Sequence, residues 1–393
     1  MVLSCQSVAE SIAGILARRP VLEPVLKTFQ PLLEARASLP AALAPLVREA
    51  GLRLPELQPE QAAEGRPLLF EAPLPGLGGL LRQAAESLLP LLTEQEAVAP
   101  YADRLRGFFL GGTAADSAPA LTALAECVLR GDEMGWEKSA VGMGVPPEVL
   151  TFVFDFLLGP ALRALADVSL EAGQEAPWDK EGVWKEGYCP VCGSFPSIGY
   201  LDRPVFEEKN AFLAGGGGKK RLHCSLCGTD WKFRRGACPA CGEEGNGVME
   251  VLRESGNAQG ERLEWCTRCK TYCPGVDLRE RDTVPDLDVL ALGLVHLDMV
   301  AAEKKLRPLN PSFWNTFWGL IRRPRKPGAF PKGRGARGAK AWPRCAGLSL
   351  PLWRGHRERS GRRMWAEPGF AHLAGVIPPQ DISRRLRLCE VYS

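Results

Sequence analysis

Four CxxC pairs constrain the fold of this chain more strongly than any other feature of its sequence. Nine of the thirteen cysteines lie between Cys189 and Cys273, and eight of these nine are grouped in pairs separated by two residues. The pairs are Cys189/Cys192, Cys224/Cys227, Cys238/Cys241 and Cys266/Cys269. In a zinc-ribbon or rubredoxin knuckle, such a pair binds one metal ion while the backbone curls back towards the sulfurs. The residue after the second cysteine often needs a positive φ angle, and it is glycine after three pairs and Lys270 after the fourth.

Two knuckles form one tetrahedral four-cysteine site, so four knuckles predict two metal sites. The spacers inside the first two and the last two knuckles contain 31 and 24 residues, which is enough for a few short antiparallel strands in each case. Sequential pairing, first with second and third with fourth, is favoured because elements adjacent in sequence usually lie side by side. The alternative is a nested pairing, which closes the ten-residue loop between Cys227 and Cys238 and joins the outer knuckles.

Disulfides and redox-active dithiols are the other common uses of CxxC pairs. The first residues lack a basic region followed by an apolar run, so we expect no secretory signal and a cytoplasmic protein. Pairs in that compartment more often hold metal than form disulfides. A thioredoxin-like dithiol occurs once, at a helix start, rather than four times with glycines behind it. We therefore expect two metal ions, and tetrahedral thiolate coordination suits iron as well as zinc.

The region from Val8 to about Ser169 has the pattern of a helical bundle. Apolar residues recur at helical spacing throughout it, and Ser7 with Glu10 predicts a capping box at its start. Prolines at positions 24, 31, 40, 45 and 55 predict that its first half is divided into short helices. The region contains no histidine and no glycine-rich phosphate loop, so we find no catalytic constellation and expect no enzyme.

A further helix is predicted after the cysteine pairs, from Asp286 to Lys305, because its leucines form one apolar stripe. His296 in this helix is expected to be solvated, since no second histidine or thiol stands four residues on. His223, beside Cys224, is an alternative metal ligand that four thiols per site make unnecessary.

The last part of the chain differs in composition from the rest. Residues 320–393 carry fourteen Arg and three Lys against four acidic residues, a net charge of +13, which leaves residues 1–319 at −10. This tail is either a basic disordered arm or the product of a lost reading frame. Across residues 181–280 there are fourteen basic and fourteen acidic side chains, so no nucleic-acid partner is expected for the ribbons.

Together these patterns predict an α+β multidomain chain: an N-terminal helical bundle, two tandem rubredoxin-like (zinc-ribbon) four-cysteine domains and a C-terminal helix. The predicted boundaries are 1–180 for the helical domain, 181–235 and 236–280 for the two metal ribbons, 281–307 for the C-terminal helix and 320–393 for the basic tail. The length of 393 residues and the hydrophobic content of 45% allow two or three such domains.

The wording of the four knuckles resembles the FdhE family of formate dehydrogenase accessory proteins. The segments that carry the resemblance are YCPVCGS, LHCSLCGTDW, CPACG and CTRCKTY, followed by DLDVLAL in the predicted helix. The resemblance extends over about residues 10–315, and the tail beyond Gly319 has no counterpart in the family. Cys273 stands where the family usually has an apolar residue, and a thiol there is a candidate competitor for metal or a redox partner.

The resemblance implies a helical domain followed by two rubredoxin-like ribbons that carry iron or zinc. It also implies a cytoplasmic, non-enzymatic role in the maturation of formate dehydrogenase, by contact with its molybdenum- and selenocysteine-containing catalytic subunit before export or assembly. A homo-oligomer is compatible with this role, whereas a membrane partner is not expected. The residues implied as metal ligands are Cys189, Cys192, Cys224, Cys227, Cys238, Cys241, Cys266 and Cys269.

Two other functions compete with a maturation factor at the level of sequence. An iron tetrathiolate could transfer single electrons, as it does in rubredoxins. A zinc ribbon could bind nucleic acid, which the basic tail suggests and the charge balance of the ribbons opposes.

Overall fold

The computed structural model describes residues 5–170, 174–203, 218–254, 259–312 and 315, together with the backbone of 388–389. Its first part is helical, as the apolar spacing predicts. The helices are α1 (Val8–Arg18), α2 (Glu23–Glu49), α3 (Pro59–Ala63), α4 (Leu77–Thr93), α5 (Ala102–Leu110), α6 (Ala114–Arg130), α7 (Glu133–Met143) and α8 (Pro147–Ser169). The predicted capping box at Ser7 and Glu10 is present at the start of α1. The predicted basic tail lies outside the described residues, apart from the backbone of positions 388–389.

Helix α8 forms the centre of the helical region, where α2, α4 and α7 pack against it. By length and composition alone it is apolar enough to cross a membrane, but 83% of its most hydropathic window is buried inside the protein. Phe154 and Leu157 on this helix are fully buried, and Phe109 of α5 stacks on Phe154 with ring centroids 6.2 Å apart. The hydrophobicity of α8 is therefore accounted for by its place in the core.

The prediction that prolines divide the first half into short helices is wrong. Helix α2 runs for 27 residues and contains Pro31, Pro40 and Pro45 within it. Each internal proline removes one backbone hydrogen bond and costs about 3 kcal/mol. Because Leu26, Leu43 and five further apolar side chains of α2 are buried along its length, packing against α4 and α8 outweighs that cost.

The second part of the chain forms a single sheet that both cysteine ribbons share. Its strands are β1 (Ile198–Leu201), β2 (Lys220–His223), β3 (Asp230–Lys232), β4 (Met249–Glu254), β5 (Glu261–Cys266), β6 (Thr271–Asp277), β7 (Arg307–Pro308) and β8 (Leu388–Cys389). The order is β3-β2-β1-β6-β5-β4-β8, and β7 pairs with β6. Strands β1 and β6 join the two ribbons in parallel, with Tyr200 opposite Val276. The proposed domain boundaries stay a prediction, but hydrogen bonds connect the ribbons across this seam.

The predicted C-terminal helix is two helices, α9 (Leu287–Gly293) and α10 (Val295–Glu303), which meet at Leu294. Asp286 caps α9 by accepting hydrogen bonds from the backbone of the next turn. Leu297 and Val300 of α10 join Trp265 and Tyr272 of the sheet in a second hydrophobic core. His296 is only 4% exposed, so the expectation that it is solvated is wrong.

A buried carboxylate connects this second core to the helical region. Glu261, at the start of β5, is 2% exposed and forms ion pairs with arginines of α1 and of the segment after β6. Its partners are Arg18, Arg19 at 2.6 Å and Arg281 at 3.0 Å. Burial alone would raise the pKa of Glu261, but the nearby His296 and arginines outweigh burial and lower it. Glu261 is thus a charged cross-link between sheet and helices.

We expect the substitution Glu261→Ala to lower the free energy of unfolding by about 3–5 kcal/mol, because it leaves the buried Arg281 and the partly buried Arg18 and Arg19 without their counter-charge. Urea denaturation followed by circular dichroism measures this loss. The matched control is Glu280→Ala, which removes a half-exposed ion pair with Arg253 and should cost less than about 0.5 kcal/mol. Equal losses in the two variants would contradict the cross-linking role.

Candidate metal centres

The structure gathers the eight paired cysteines into two separate four-sulfur clusters. The first cluster contains Cys189, Cys192, Cys224 and Cys227, and the second contains Cys238, Cys241, Cys266 and Cys269. Within each cluster, all sulfur atoms lie within 4.8 Å of one another. This is the sequential arrangement of knuckles, and the nested alternative does not occur. That these cysteines bind metal stays a prediction, which their geometry supports.

The distances between the sulfurs fit a bound ion better than a disulfide. In the first cluster the distances Cys189–Cys227 and Cys192–Cys224 are 3.4 and 3.5 Å. In the second cluster Cys238–Cys269 and Cys241–Cys266 are 3.6 and 3.8 Å apart. A disulfide bond is about 2.05 Å long, whereas the edge of a tetrahedron with Zn–S bonds of about 2.3 Å is about 3.8 Å. Each cluster can therefore hold one tetrahedral ion, and the distances suit iron as well as zinc.

All four knuckles have the predicted turn, including the one without glycine. The residue after each pair donates its N–H to the carbonyl of the first cysteine, for example Gly193 to Cys189 at 2.9 Å and Lys270 to Cys266 at 3.0 Å. The φ angles of Gly193, Gly228 and Gly242 are 74°, 72° and 73°. Lys270 adopts 59°, which a side chain with a Cβ rarely does. The geometry of the knuckle thus overrides the preference of the residue.

The first cluster lies inside the main hydrophobic core. Its four cysteines are at most 1% exposed and pack in the same cluster of apolar side chains as α2, α4 and α8. Two backbone hydrogen bonds join the first knuckle to the segment after α3, from Leu68 to Pro190 at 2.8 Å and from Leu69 to Val191 at 3.0 Å. Burial raises the pKa of Cys189 and of Cys224. Four buried thiolates therefore need a cation among them.

Two arginines of the helical region donate hydrogen bonds to the backbone of the second knuckle. Arg36 of α2 and Arg163 of α8 both donate to the carbonyl of Ser225, which lies between Cys224 and Cys227; the Arg163 bond is 2.7 Å long. Arg163 also pairs with Asp288 of α9 at 2.5 Å. No local sequence pattern predicts these contacts, because Arg36 and Arg163 lie 189 and 62 positions from Ser225.

His223 shares Asp288 with these arginines and belongs to neither sulfur cluster. Its ring nitrogens face Asp230 at 2.9 Å and Asp288 at 3.3 Å. Burial opposes protonation, but the two carboxylates outweigh it and raise the pKa of His223 to about 10. Both ring nitrogens are engaged by carboxylates and neither joins a cluster, so His223 is no alternative ligand.

The second cluster has fewer apolar neighbours than the first and is more exposed. Cys238 and Cys266 are buried, whereas Cys241 and Cys269 are partly exposed. Its hydrophobic surroundings consist mainly of Val248 and Met249. Backbone N–H groups of Ala240 and Arg268 point at the sulfurs of Cys238 and Cys266, both at 3.4 Å. Two of its four cysteines are therefore partly exposed, unlike those of the first cluster.

Cys273 belongs to neither cluster. It lies on β6 opposite Glu264, is 7% exposed, and its thiol donates to the carbonyl of Pro274 at 3.4 Å. Burial raises the pKa of this thiol to about 12. Because its sulfur is not among those gathered in either cluster, Cys273 is no competitor for metal in this fold.

Comparisons with known proteins point to one family. No family model matches the chain. The FdhE homologue of Aquifex aeolicus is 31% identical over 163 residues, which cover 41% of this chain and 50% of that protein. The FdhE homologue of Shewanella baltica is 30% identical over 120 residues, or 30% of this chain and 35% of that protein. The chain thus spans half or less of the length of these relatives. They confirm the resemblance to FdhE proteins that the cysteine motifs predict.

A solved structure is also similar. The crystal structure of the FdhE protein from Pseudomonas aeruginosa matches with a TM-score of 0.47 and 21% sequence identity. The match covers 82% of this chain and 95% of that chain.

The knuckle glycines lead to a graded prediction. A Cβ at Gly193 would lie 2.9 Å from the ring of Pro67, whereas a Cβ at Gly242 would meet nothing within 4 Å. We expect Gly242→Ala to lower the free energy of unfolding by about 1–2 kcal/mol, the cost of a left-handed backbone. Gly193→Ala should cost more, because it adds a clash in the main core. Thermal unfolding of the metal-loaded protein measures both losses. A larger loss for Gly242→Ala than for Gly193→Ala would contradict the placement of the first knuckle in the main core.

The difference in burial between the clusters predicts different rates of metal loss. We expect a competing chelator to remove the ion of the second cluster at least about tenfold faster, since the first opens only with the main core. The amount of metal released, plotted against time, should show two phases. Each phase is assigned with a variant that removes one cluster, either Cys238→Ser/Cys241→Ser or Cys189→Ser/Cys192→Ser. A single phase in the unsubstituted protein would refute the asymmetry.

Proposed function

We propose that this chain, as a relative of the FdhE proteins, is an accessory protein that helps to bring formate dehydrogenase to its active form. In this proposal it acts in the cytoplasm on the catalytic subunit, the molybdenum- and selenocysteine-containing type, before export or assembly. The observation that carries the proposal is the combination of two four-cysteine clusters with sequence similarity to FdhE homologues of two bacteria.

The described residues support a binding role more than a catalytic one. Two carboxylates capable of acid or base chemistry are engaged in ion pairs with arginines, Glu261 with Arg19 and Asp288 with Arg163. One cavity beside Cys238 and Cys273 measures about 10 Å³, room for a water molecule. A wider depression of about 330 Å³ between α2 and α4 is lined by no histidine or cysteine. The smaller opening has no room for a substrate, and Glu49 is the one ionisable side chain that lines the wider one.

In this proposal the eight clustered cysteines hold two metal ions, each iron or zinc. A bound ion cross-links two knuckles and neutralises part of the charge of four thiolates. In the first cluster this fixes the sheet to the helical region, because the same knuckles contact Leu68, Arg36 and Arg163. The helices and the ribbons then form one scaffold that presents the second cluster at its surface.

Electron transfer is the second candidate function, and one observation favours it. Cys241 and Cys269 of the second cluster are partly exposed, and two N–H groups point at sulfurs of the same cluster. Exposed sulfur with N–H···S bonds is the setting in which an iron tetrathiolate exchanges electrons with a partner. A protein purified under anaerobic conditions with zinc alone and no visible absorbance would exclude this function.

Complementation tests the proposed maturation role. A strain that lacks this protein should have little formate dehydrogenase activity, and the unsubstituted chain should restore it. The variant Cys241→Ser/Cys269→Ser should restore less than about a tenth, because it removes the second metal site. Cys127→Ser is the matched control, since that thiol lies in α6 away from both clusters, and it should restore full activity. Normal activity in the deletion strain would end the proposal.

A further inference from the structure

Asp288, the second residue of α9, lies where three side chains near the first cluster meet. Its Oδ2 pairs with Arg163 of α8 at 2.5 Å and faces Arg36 of α2 at 3.8 Å. Its Oδ1 lies 3.3 Å from Nε2 of His223, the residue before Cys224. The side chains of Asp288, Arg36 and Arg163 are 12%, 12% and 19% exposed. One mostly buried carboxylate therefore connects α9 to two helices and to the strand that leads into the second knuckle.

Both knuckles of the first cluster are held through the carbonyl that follows their first cysteine. In the first knuckle, the carbonyl of Pro190 accepts the backbone N–H of Leu68 at 2.8 Å. In the second knuckle, the carbonyl of Ser225 accepts hydrogen bonds from Arg36 and from Arg163, the latter at 2.7 Å. The first anchor is a backbone group, whereas the second consists of two long side chains that have many rotamers. The position of the second knuckle therefore depends on what holds these guanidinium groups.

Two guanidinium groups that share one acceptor repel each other. Burial and the charge of Arg163 lower the pKa of Arg36, and the charge of Asp288 opposes this decrease more than the charges of Asp155 and Asp286 do. A mostly buried charge without a counter-charge is costly. Asp288 thus supplies the counter-charge that allows both guanidinium groups to face the same carbonyl.

Helix α9 also lies between the two hydrophobic cores. Val289 and Leu292 belong to the main core, which contains the first cluster. Leu290 and Leu294, on the other side, belong to the second core. Close packing on both sides fixes the position of α9, and with it the position of Asp288.

We propose that Asp288 is a positioning residue of the first metal centre, through which the docking of α9 and the binding of the ion stabilise each other. It acts through Arg36 and Arg163 on the carbonyl of Ser225, and so on the turn of the second knuckle. Groups outside the ligand shell that orient the ligands commonly change metal affinity about 10- to 100-fold. The inference rests on metal binding by the first cluster, which is part of the proposed function, and not on the maturation role.

The test uses the full chain loaded with an NMR-active cadmium isotope, because the cadmium signal of each site is sensitive to its sulfur geometry. The variant Asp288→Asn should shift the signal of the first cluster and leave that of the second unchanged. Its first cluster should also bind zinc at least about tenfold more weakly in competition with a chelator. The variant Cys238→Ser/Cys241→Ser assigns the signals, because it removes the second cluster.

Two further variants separate positioning from stability. Leu292→Ala weakens the packing of α9 in the main core but leaves the carboxylate and both arginines in place, so it should shift the first signal less than Asp288→Asn does. Arg36→Gln/Asp288→Asn removes one of the two like charges together with the carboxylate. It should remain folded even where Asp288→Asn does not, with the first signal shifted and the second in place.

Hydrogen exchange tests the opposite direction, because coupling between two binding equilibria is reciprocal. In the variant Cys189→Ser/Cys192→Ser, the backbone amides of α9 should exchange at least about tenfold faster than in the unsubstituted protein. Helix α6, which packs mainly on α4, α5 and α7, should keep its protection.

Other outcomes would overturn the role of Asp288. These are an unshifted first signal in Asp288→Asn, equal shifts in Asp288→Asn and Leu292→Ala, and unchanged exchange in α9 or an equal increase in α6 and α9. A first cluster that binds no metal would overturn metal binding itself and the inference with it. Elemental analysis distinguishes these cases, because it counts the ions before either experiment. The assays contain no formate dehydrogenase, so their results are independent of the maturation role.

Discussion

The fold of each ribbon depends on bringing four sulfur atoms to the corners of one tetrahedron. A knuckle positions two sulfurs by itself, but two knuckles meet only if the strands between them pair in register. In the second ribbon, β4 and β5 pair in antiparallel register, from Met249 opposite Cys266 to Arg253 opposite Arg262. This pairing places the fourth knuckle beside the third. The apolar cluster there consists mainly of Val248 and Met249 beside the cysteines. So few apolar contacts give the two knuckles themselves little support, and we expect a bound metal ion to hold them together.

The two clusters share this geometry but differ in their surroundings. The first is buried among helices, and Arg36 and Arg163 clamp its second knuckle through the carbonyl of Ser225. The second has few apolar neighbours, and its Cys241 and Cys269 are partly exposed. One cluster therefore joins the parts of the protein, and the other faces what lies outside it.

Sequence alone was sufficient for the features that are local. The CxxC spacing, the glycines behind three pairs and the capping box at Ser7 are short-range patterns, and each predicts its structure correctly. The sign of φ at Lys270 could be inferred only from its place in a fourth knuckle. That α2 continues through three prolines could not be inferred, because its burial against α4 and α8 stabilises the continuous helix. The burial of His296 could not be inferred either, because helical spacing does not show that Glu261 lies 3.7 Å from its ring.

The most direct test of the account is the metal stoichiometry of the intact chain. Native mass spectrometry of protein purified without oxygen, combined with elemental analysis, gives both the number of ions and the redox state of the thiols. The account predicts two ions of iron or zinc per chain and no mass loss from disulfide formation. One ion shared by all four knuckles, or a metal-free chain with paired sulfurs, would contradict it.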